Sequence, residues 1–172
     1  MNLLHKILTG LFLCFWLMAC TKQSPQTPSN KGHVADKNTV SLLAINQNLA
    51  KKEDSLLKKF ALQQDKTFRK SQLGFWYKIY PVGSGSGVKD SVICKFSCKV
   101  LSLAGKVLQE EHKQIVIGKK QALTGLEEGL KLMHKGDSAT IIVPWYLAYG
   151  MKGNGPAIPA YTSIIYKVKV LN

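Results

Sequence analysis

The spacing of apolar residues changes character along this chain, and each change marks a new segment. After Lys6 a mainly apolar run extends from Ile7 to Met18. It is long enough for the hydrophobic centre of an export signal and too short for a stable helix across a hydrocarbon core of about 30 Å. From Thr21 to Lys37 the apolar residues almost vanish and Ser, Pro, Gln, Thr, Asn and Gly take over, which predicts a tether with too little apolar surface to offset the entropy of ordering it. From Val40 to Phe68 the apolar positions Val40, Leu43, Ala44, Leu49, Leu56, Leu57, Phe60 and Ala61 recur at three- and four-residue steps, with lysines between them. This predicts one amphipathic helix, or two parted near Lys51–Asp54, with Asn38-Thr39 as N-cap. A stripe this thin does not stabilise a helix alone, so it must meet its own domain, a second copy or a partner.

Beyond Leu73 the rhythm shortens to that of strands. Phe75 to Tyr80 is rich in β-formers, and the glycine-serine loop Pro81–Gly87 ends it. Val92 to Val100 alternates apolar and polar residues, a turn follows at Leu103–Lys106, and two short strands are predicted near Val107-Leu108 and at Gln114–Gly118. Ala122 to Met133 reads as the one helix of this region, with Leu126, Leu130 and Met133 on its inner face, Thr124 as cap and Gly136 in the stop. Ala139 to Val143 is a strand that stops at Pro144, which has no N–H for a ladder. A glycine-rich loop leads to the terminal strand Ser163–Leu171, predicted to bury one face. The expected fold class is α+β: a twisted antiparallel sheet of about five strands wrapped around one short helix and preceded by the amphipathic helix.

Charge and cysteines narrow the chemistry. The 172 residues carry a formal net charge of +14. Removal of residues 1–19 takes away one lysine and leaves 23 basic against 10 acidic residues, or +13. These are lysines scattered singly, with neither an arginine-rich helix nor interleaved aromatics, so nucleic acid is excluded as a partner and a solvated face drawn to anionic headgroups is expected. Leu17-Met-Ala-Cys20 resembles a bacterial lipobox, which implies cleavage before Cys20 and acylation of its thiol. Two or more acyl chains, at about 0.8 kcal/mol per buried methylene, would hold the chain on a membrane. Cys94 and Cys98 fall on one face of a strand, about 13 Å apart, beyond the roughly 7 Å that a disulfide spans. They are expected to be reduced. The scattered histidines predict no metal site, and no cofactor is expected.

Gly118, Thr124-Gly-Leu-Glu-Glu-Gly129, Lys135-Gly-Asp137, Val143-Pro144, Leu147-Ala-Tyr-Gly150, Ile158-Pro159 and Ile164–Val170, in this order and spacing, resemble the C-terminal half of an FKBP-type peptidyl-prolyl cis-trans isomerase. The resemblance covers residues 73–172, after a signal at 1–19, an acylated tether at 20–37 and a helical extension at 38–72. With Gly74-Phe-Trp-Tyr77 and the lipobox, the chain is similar to the gliding-motility-associated FKBP-type lipoproteins of Bacteroidetes. The family likeness implies a cleft that takes a substrate proline, with Tyr149, Ile158 and Tyr166 in catalytic positions and Ala122, Leu123, Leu126, Cys98 and Leu108 lining it. Leu126 stands where the family has an indole, Cys98 a tyrosine and Leu108-Gln109 a Phe-Asp pair, so the cleft is expected to be wide, apolar and without its carboxylate. The implied partners are proline-containing exported polypeptides, the membrane through the lipid anchor, and an envelope protein or a second copy through residues 40–68. The implied location is the periplasm-facing side of the cell envelope, the outer membrane for preference.

Overall fold

A computed structural model describes residues 37–82 and 85–171. By contacts the chain from Ser41 onward forms one compact unit, and the elements below belong to it, apart from the first turn of the opening helix. The signal, Cys20 and most of the tether lie outside the described residues.

Helix α1 spans Lys37–Gln64 without a break. Its start places Asn38 and Thr39 inside the helix, so they are not its cap, and the two-helix alternative falls away. The sheet has six antiparallel strands: β1 (Arg69–Lys70), β2 (Trp76–Tyr80), β3 (Ile93–Ser102), β4 (Val107–Val116), β5 (Ser138–Val143) and β6 (Ile164–Val170). Their order across the sheet is β1-β2-β5-β6-β3-β4. Helix α2 covers only Thr124–Leu130. Its N-cap is Leu123 in extended conformation, with no capping side chain. Thr124 is therefore already helical. The cap role fails because the turn is closed instead by the carbonyl of Leu123, which accepts the N–H groups of Leu126 and Glu127 at 3.0 and 2.9 Å.

The two faces of the sheet carry different layers. On the concave face Phe96, Cys98, Val100, Ile141, Val143, Ile164, Tyr166, Val168 and Val170 pack against Leu126, Leu130 and Met133. Gly125 and Gly129 let α2 sit directly on β5, since a Cβ at either would overlap the side chain of Val143 or Ile141. A seven-residue helix has little stability of its own, so this packing is what holds it. On the convex face Leu57 and Ala61 of α1 meet Trp76, Leu101, Ile142 and Ile165, with Phe68 completing the cluster. The stripe of α1 thus meets its own domain. Each buried leucine, isoleucine or phenylalanine of this layer contributes about 1.5–3 kcal/mol, and Ala61 less.

Two expectations need correction. The pair of short strands between Val107 and Gly118 is one ten-residue strand. Its middle reads as polar because β4 is the last strand of the sheet and keeps Glu110, His112, Lys113 and Gln114 exposed, as an edge that resists further pairing does. The terminal strand buries both faces at its start, with Ile164 and Tyr166 inward and Ile165 under α1. Among the described residues no helix is long and apolar enough to cross a membrane.

Candidate active site

The loop from Pro144 to Ser163 delivers two of the three residues singled out at the end of the chain. A short 3-10 turn at Trp145–Leu147 opens it. Trp145 packs edge-on against Tyr146 and Tyr161, with ring centroids 5.5 and 4.9 Å apart, and so pins both ends of the loop. The N–H of Gly153 donates to the carbonyl of Tyr149 at 3.1 Å, and that of Asn154 to Ile158 at 2.7 Å. Gly153 takes a positive φ of 70°, and a Cβ there would strike the backbone of Ile158 and Pro159. The loop is folded tightly enough to turn Ile158 inward, where 1% of it remains exposed.

Tyr166 stands on β6 between Val100 of β3 and Ile141 of β5. Cys98 lies on β3 opposite Val168 and Glu111. Ala122 and Leu123 lead into α2, Leu126 lies on its first turn, and Leu108 is near the start of β4. All eight residues fall in one apolar cluster. Cys98, Leu126, Ile158 and Tyr166 are its buried floor, while Leu108, Ala122, Leu123 and Tyr149 are half-buried around it.

The polar chemistry of the site is concentrated on those phenols. Burial pushes the Tyr166 hydroxyl well above its ordinary pKa, and the neighbouring Tyr149, Cys98 and Glu111, together with a hydrogen bond to Tyr149, act in the same direction. Tyr149, the half-buried one of the two phenols, has the side open to a ligand oxygen, to which its hydroxyl can donate. Cys94 and Cys98 are free thiols, both buried. Cys98 is pushed up to about 11 by burial and by the charge of Glu111.

Glu111 is the residue that sequence reasoning missed. Its side chain shares the concave side of β4 with Gln109 and Lys113. Gln109 Nε2 donates to Glu111 Oε1, and Lys113 Nζ lies 2.6 Å from Glu111 Oε2. Glu111 thus brings a carboxylate to the same side of β4 as Gln109, two residues beyond the position at which the resemblance implied the loss of one. The signal for it was the alternation Gln109, Glu111, Lys113, which becomes readable only once Cys98 is known to lie opposite Glu111. Among the described residues no group of three His, Cys, Asp or Glu side chains is placed to hold a metal ion.

A family model described as FKBP-type peptidyl-prolyl cis-trans isomerase matches residues 84–171, just over half of the chain. The chain belongs to this family. A probable FKBP-type peptidyl-prolyl cis-trans isomerase of Haemophilus influenzae is 32% identical over 129 residues, covering 72% of this chain and 52% of the relative. FkpA of Escherichia coli, an FKBP-type isomerase by description, is 28% identical over 117 residues, covering 66% of this chain and 42% of its own length. The chain thus spans about half the length of these curated relatives or less. A peptidyl-prolyl cis-trans isomerase from Pseudomonas syringae superposes with a TM-score of 0.61 at 16% identity, covering 73% of this chain and 93% of that one. AtFKBP13 superposes with a TM-score of 0.58 at 21% identity, covering 61% and 97%. At these identities the two structures speak for the FKBP fold alone.

Proposed function

We propose that this FKBP domain isomerises X-Pro peptide bonds in exported polypeptides, with Tyr149, Ile158 and Tyr166 as its catalytic residues. Rotation about such a bond crosses a barrier of about 18–20 kcal/mol because it breaks amide resonance, and it takes tens to roughly hundreds of seconds unaided. In the twisted state the charge separation of the amide is lost, so apolar surroundings favour that state over the planar one. Ile158, Leu126, Leu123, Ala122, Leu108 and Cys98 supply such surroundings for the proline ring. The Tyr149 hydroxyl donates to the carbonyl of the residue beside the bond and holds it while the amide turns. The observation that carries this reading is the gathering of Tyr149, Ile158 and Tyr166 with the apolar side chains around them in one cluster, which leaves Tyr149 half-buried at its margin with its hydroxyl available to substrate. Line-shape or exchange NMR on an Ala-Leu-Pro-Phe peptide tests it: faster cis–trans exchange at micromolar protein is expected, and an unchanged rate overturns it.

A second reading is favoured by Leu126, which is buried at the position where the family resemblance implies an indole. In that reading the cluster grips proline-containing or apolar segments without turning the bond, as a chaperone or a subunit of an envelope machine. The same peptide then binds but does not exchange faster. For location we propose acylation at Cys20 and a periplasm-facing place in the envelope, supported by the lipobox-like Leu17-Met-Ala-Cys20. Metabolic labelling with an alkyne fatty acid, lost in Cys20→Ser, tests the anchor. Self-association through α1 is supported by Leu42, Ile45, Leu49 and Leu56, which follow steps of three, four and seven residues and are all exposed. Removal of residues 21–72 should then lower the molar mass in solution from dimer to monomer. Monomers both with and without that segment would leave an envelope protein as the partner of α1.

A further inference from the structure

The convex face of the sheet is only half covered. Helix α1 seals Trp76, Ile142 and Ile165, and its cover ends along β6 between buried Ile165 and exposed Lys167. Two hollows adjoin there. One, of about 420 Å³, runs beside the end of α1 and is walled by Phe60, Phe68, Leu101 and Leu103, with Gln64 and Asp65 on its polar side. The other, of about 470 Å³, lies over Lys99, Lys167 and Lys169 beside Ser138. Tyr80, Thr140 and Lys167 line both. Together they make one groove, with an aromatic and leucine wall at one end, where the charge of Asp65 is met by Lys78, and Lys167 and Lys169, unpaired among the described residues, at the other.

The basic end is built against the stability of the sheet. Lys99 and Lys167 are direct cross-strand partners, and like charges placed so repel. Lys169 lies two residues further along the same edge of the groove. Glu110 relieves one of the three, pairing with Lys99 at 2.8 Å. Lys167 and Lys169 form no ion pair among the described residues. Three lysines on one face, with Glu110 beside Lys99 alone, are complementary to an anion over Lys167 and Lys169, while the adjoining wall of Phe60 and Leu103 is complementary to an apolar side chain. A flat anionic surface would meet the charges and leave the hollow unfilled.

We propose that this groove is a second binding site, on the face opposite Tyr149 and Tyr166, and that it takes an acidic polypeptide segment bearing an apolar side chain. The apolar side chain sits between Phe60 and Leu103, and the acidic residues that follow lie over Lys167 and Lys169. The site works whether or not the concave face isomerises prolyl bonds.

The test uses the full chain and a fluorescein-labelled peptide, Gly-Phe-Gly-Asp-Glu-Asp-Glu, followed by anisotropy at low ionic strength. Affinity should fall about tenfold or more in the double variant Lys167→Glu, Lys169→Glu, and by a similar factor in Leu103→Asp or when the peptide's Phe is replaced by Ser. Lys167→Gln with Lys169→Gln should lose less. Exchange in Ala-Leu-Pro-Phe should be the same in the lysine variants as in the parent, and their thermal midpoint should not fall, because the Lys99–Lys167 repulsion is removed. Equal peptide affinity in the double variant overturns the site. So does undiminished binding of the peptide without Phe, which would reduce the groove to general attraction of charge. Binding of phosphatidylglycerol vesicles but not of the peptide, lost in the double variant, also overturns it and makes the face a membrane surface.

Discussion

The hydroxyl of Ser163 donates to the carboxylate of Glu53, 110 residues earlier in the chain, and accepts the backbone N–H of Trp145 at 2.9 Å. One side chain thus ties helix α1 to both ends of the loop that carries Tyr149 and Ile158. Ser163 is buried, as is Trp145. Ser163→Ala leaves a buried N–H without a partner, at a cost of about 1–3 kcal/mol. The expected outcome is a lower midpoint in urea with an unchanged slope, largely restored by Ser163→Thr. A variant as stable as the parent would mean that water replaces the hydroxyl.

The two halves of α1 should respond differently to truncation. Leu57 is 1% exposed against the convex face, whereas Leu49 is 37% exposed. Leu57→Ala should cost about 2–5 kcal/mol, the lost transfer energy plus the cavity left behind. Leu49→Ala in dilute protein should stay within about 0.5 kcal/mol of the parent. If the two cost the same in chemical denaturation, the C-terminal half of α1 does not cover the sheet in solution.

Alkaline pH should weaken the fold through the buried thiols and phenol. Cys98 rises from an ordinary 9.0 to about 11, chiefly because burial disfavours the thiolate and next because Glu111 repels it. Cys94 and Tyr166 shift upward too, burial again being the largest cause. A group whose pKa is raised on folding keeps its proton in the folded state after the unfolded chain has lost it. Its stabilisation is complete below 9.0 and is lost as pH climbs through about 11. Stability measured from pH 8 to 11 should therefore fall more steeply in the parent than in Cys98→Ala. Near pH 8 the native thiol should react with a disulfide reagent on the order of 100-fold more slowly than a free one. Equal slopes, or fast reaction, would show Cys98 to be open to solvent.

The α+β sheet, its inner helix and the loop bearing Tyr149 and Ile158 could be read from the sequence because their signals are local. Pro144 stops β5, glycines fold the loop, and alternation marks β3. What could not be read depends on neighbours. The middle of β4 is polar because it is an edge, and Glu111 enters the site only through its register with Cys98. Ile165 looks like a break in alternation until α1 is laid over it. The glycines of Thr124-Gly-Leu-Glu-Glu-Gly129 look like helix breakers until Val143 and Ile141 are seen against them.

The two phenols can be told apart by a mutant cycle. Tyr149→Phe keeps the ring but removes the hydroxyl offered to substrate and with it the hydrogen bond shared with Tyr166. If Tyr149 holds the substrate carbonyl during rotation, kcat/KM for Ala-Leu-Pro-Phe should drop about tenfold, or 1.4 kcal/mol of transition-state stabilisation. The same change strands the Tyr166 hydroxyl in a place where 3% of the residue is exposed, and this should cost about 1–3 kcal/mol of stability. Tyr166→Phe removes the stranded group, so the double variant should regain most of that stability. Its activity should remain at the level of Tyr149→Phe. Recovery of activity together with stability would mean that Tyr149 acts on the fold alone and that another group holds the carbonyl.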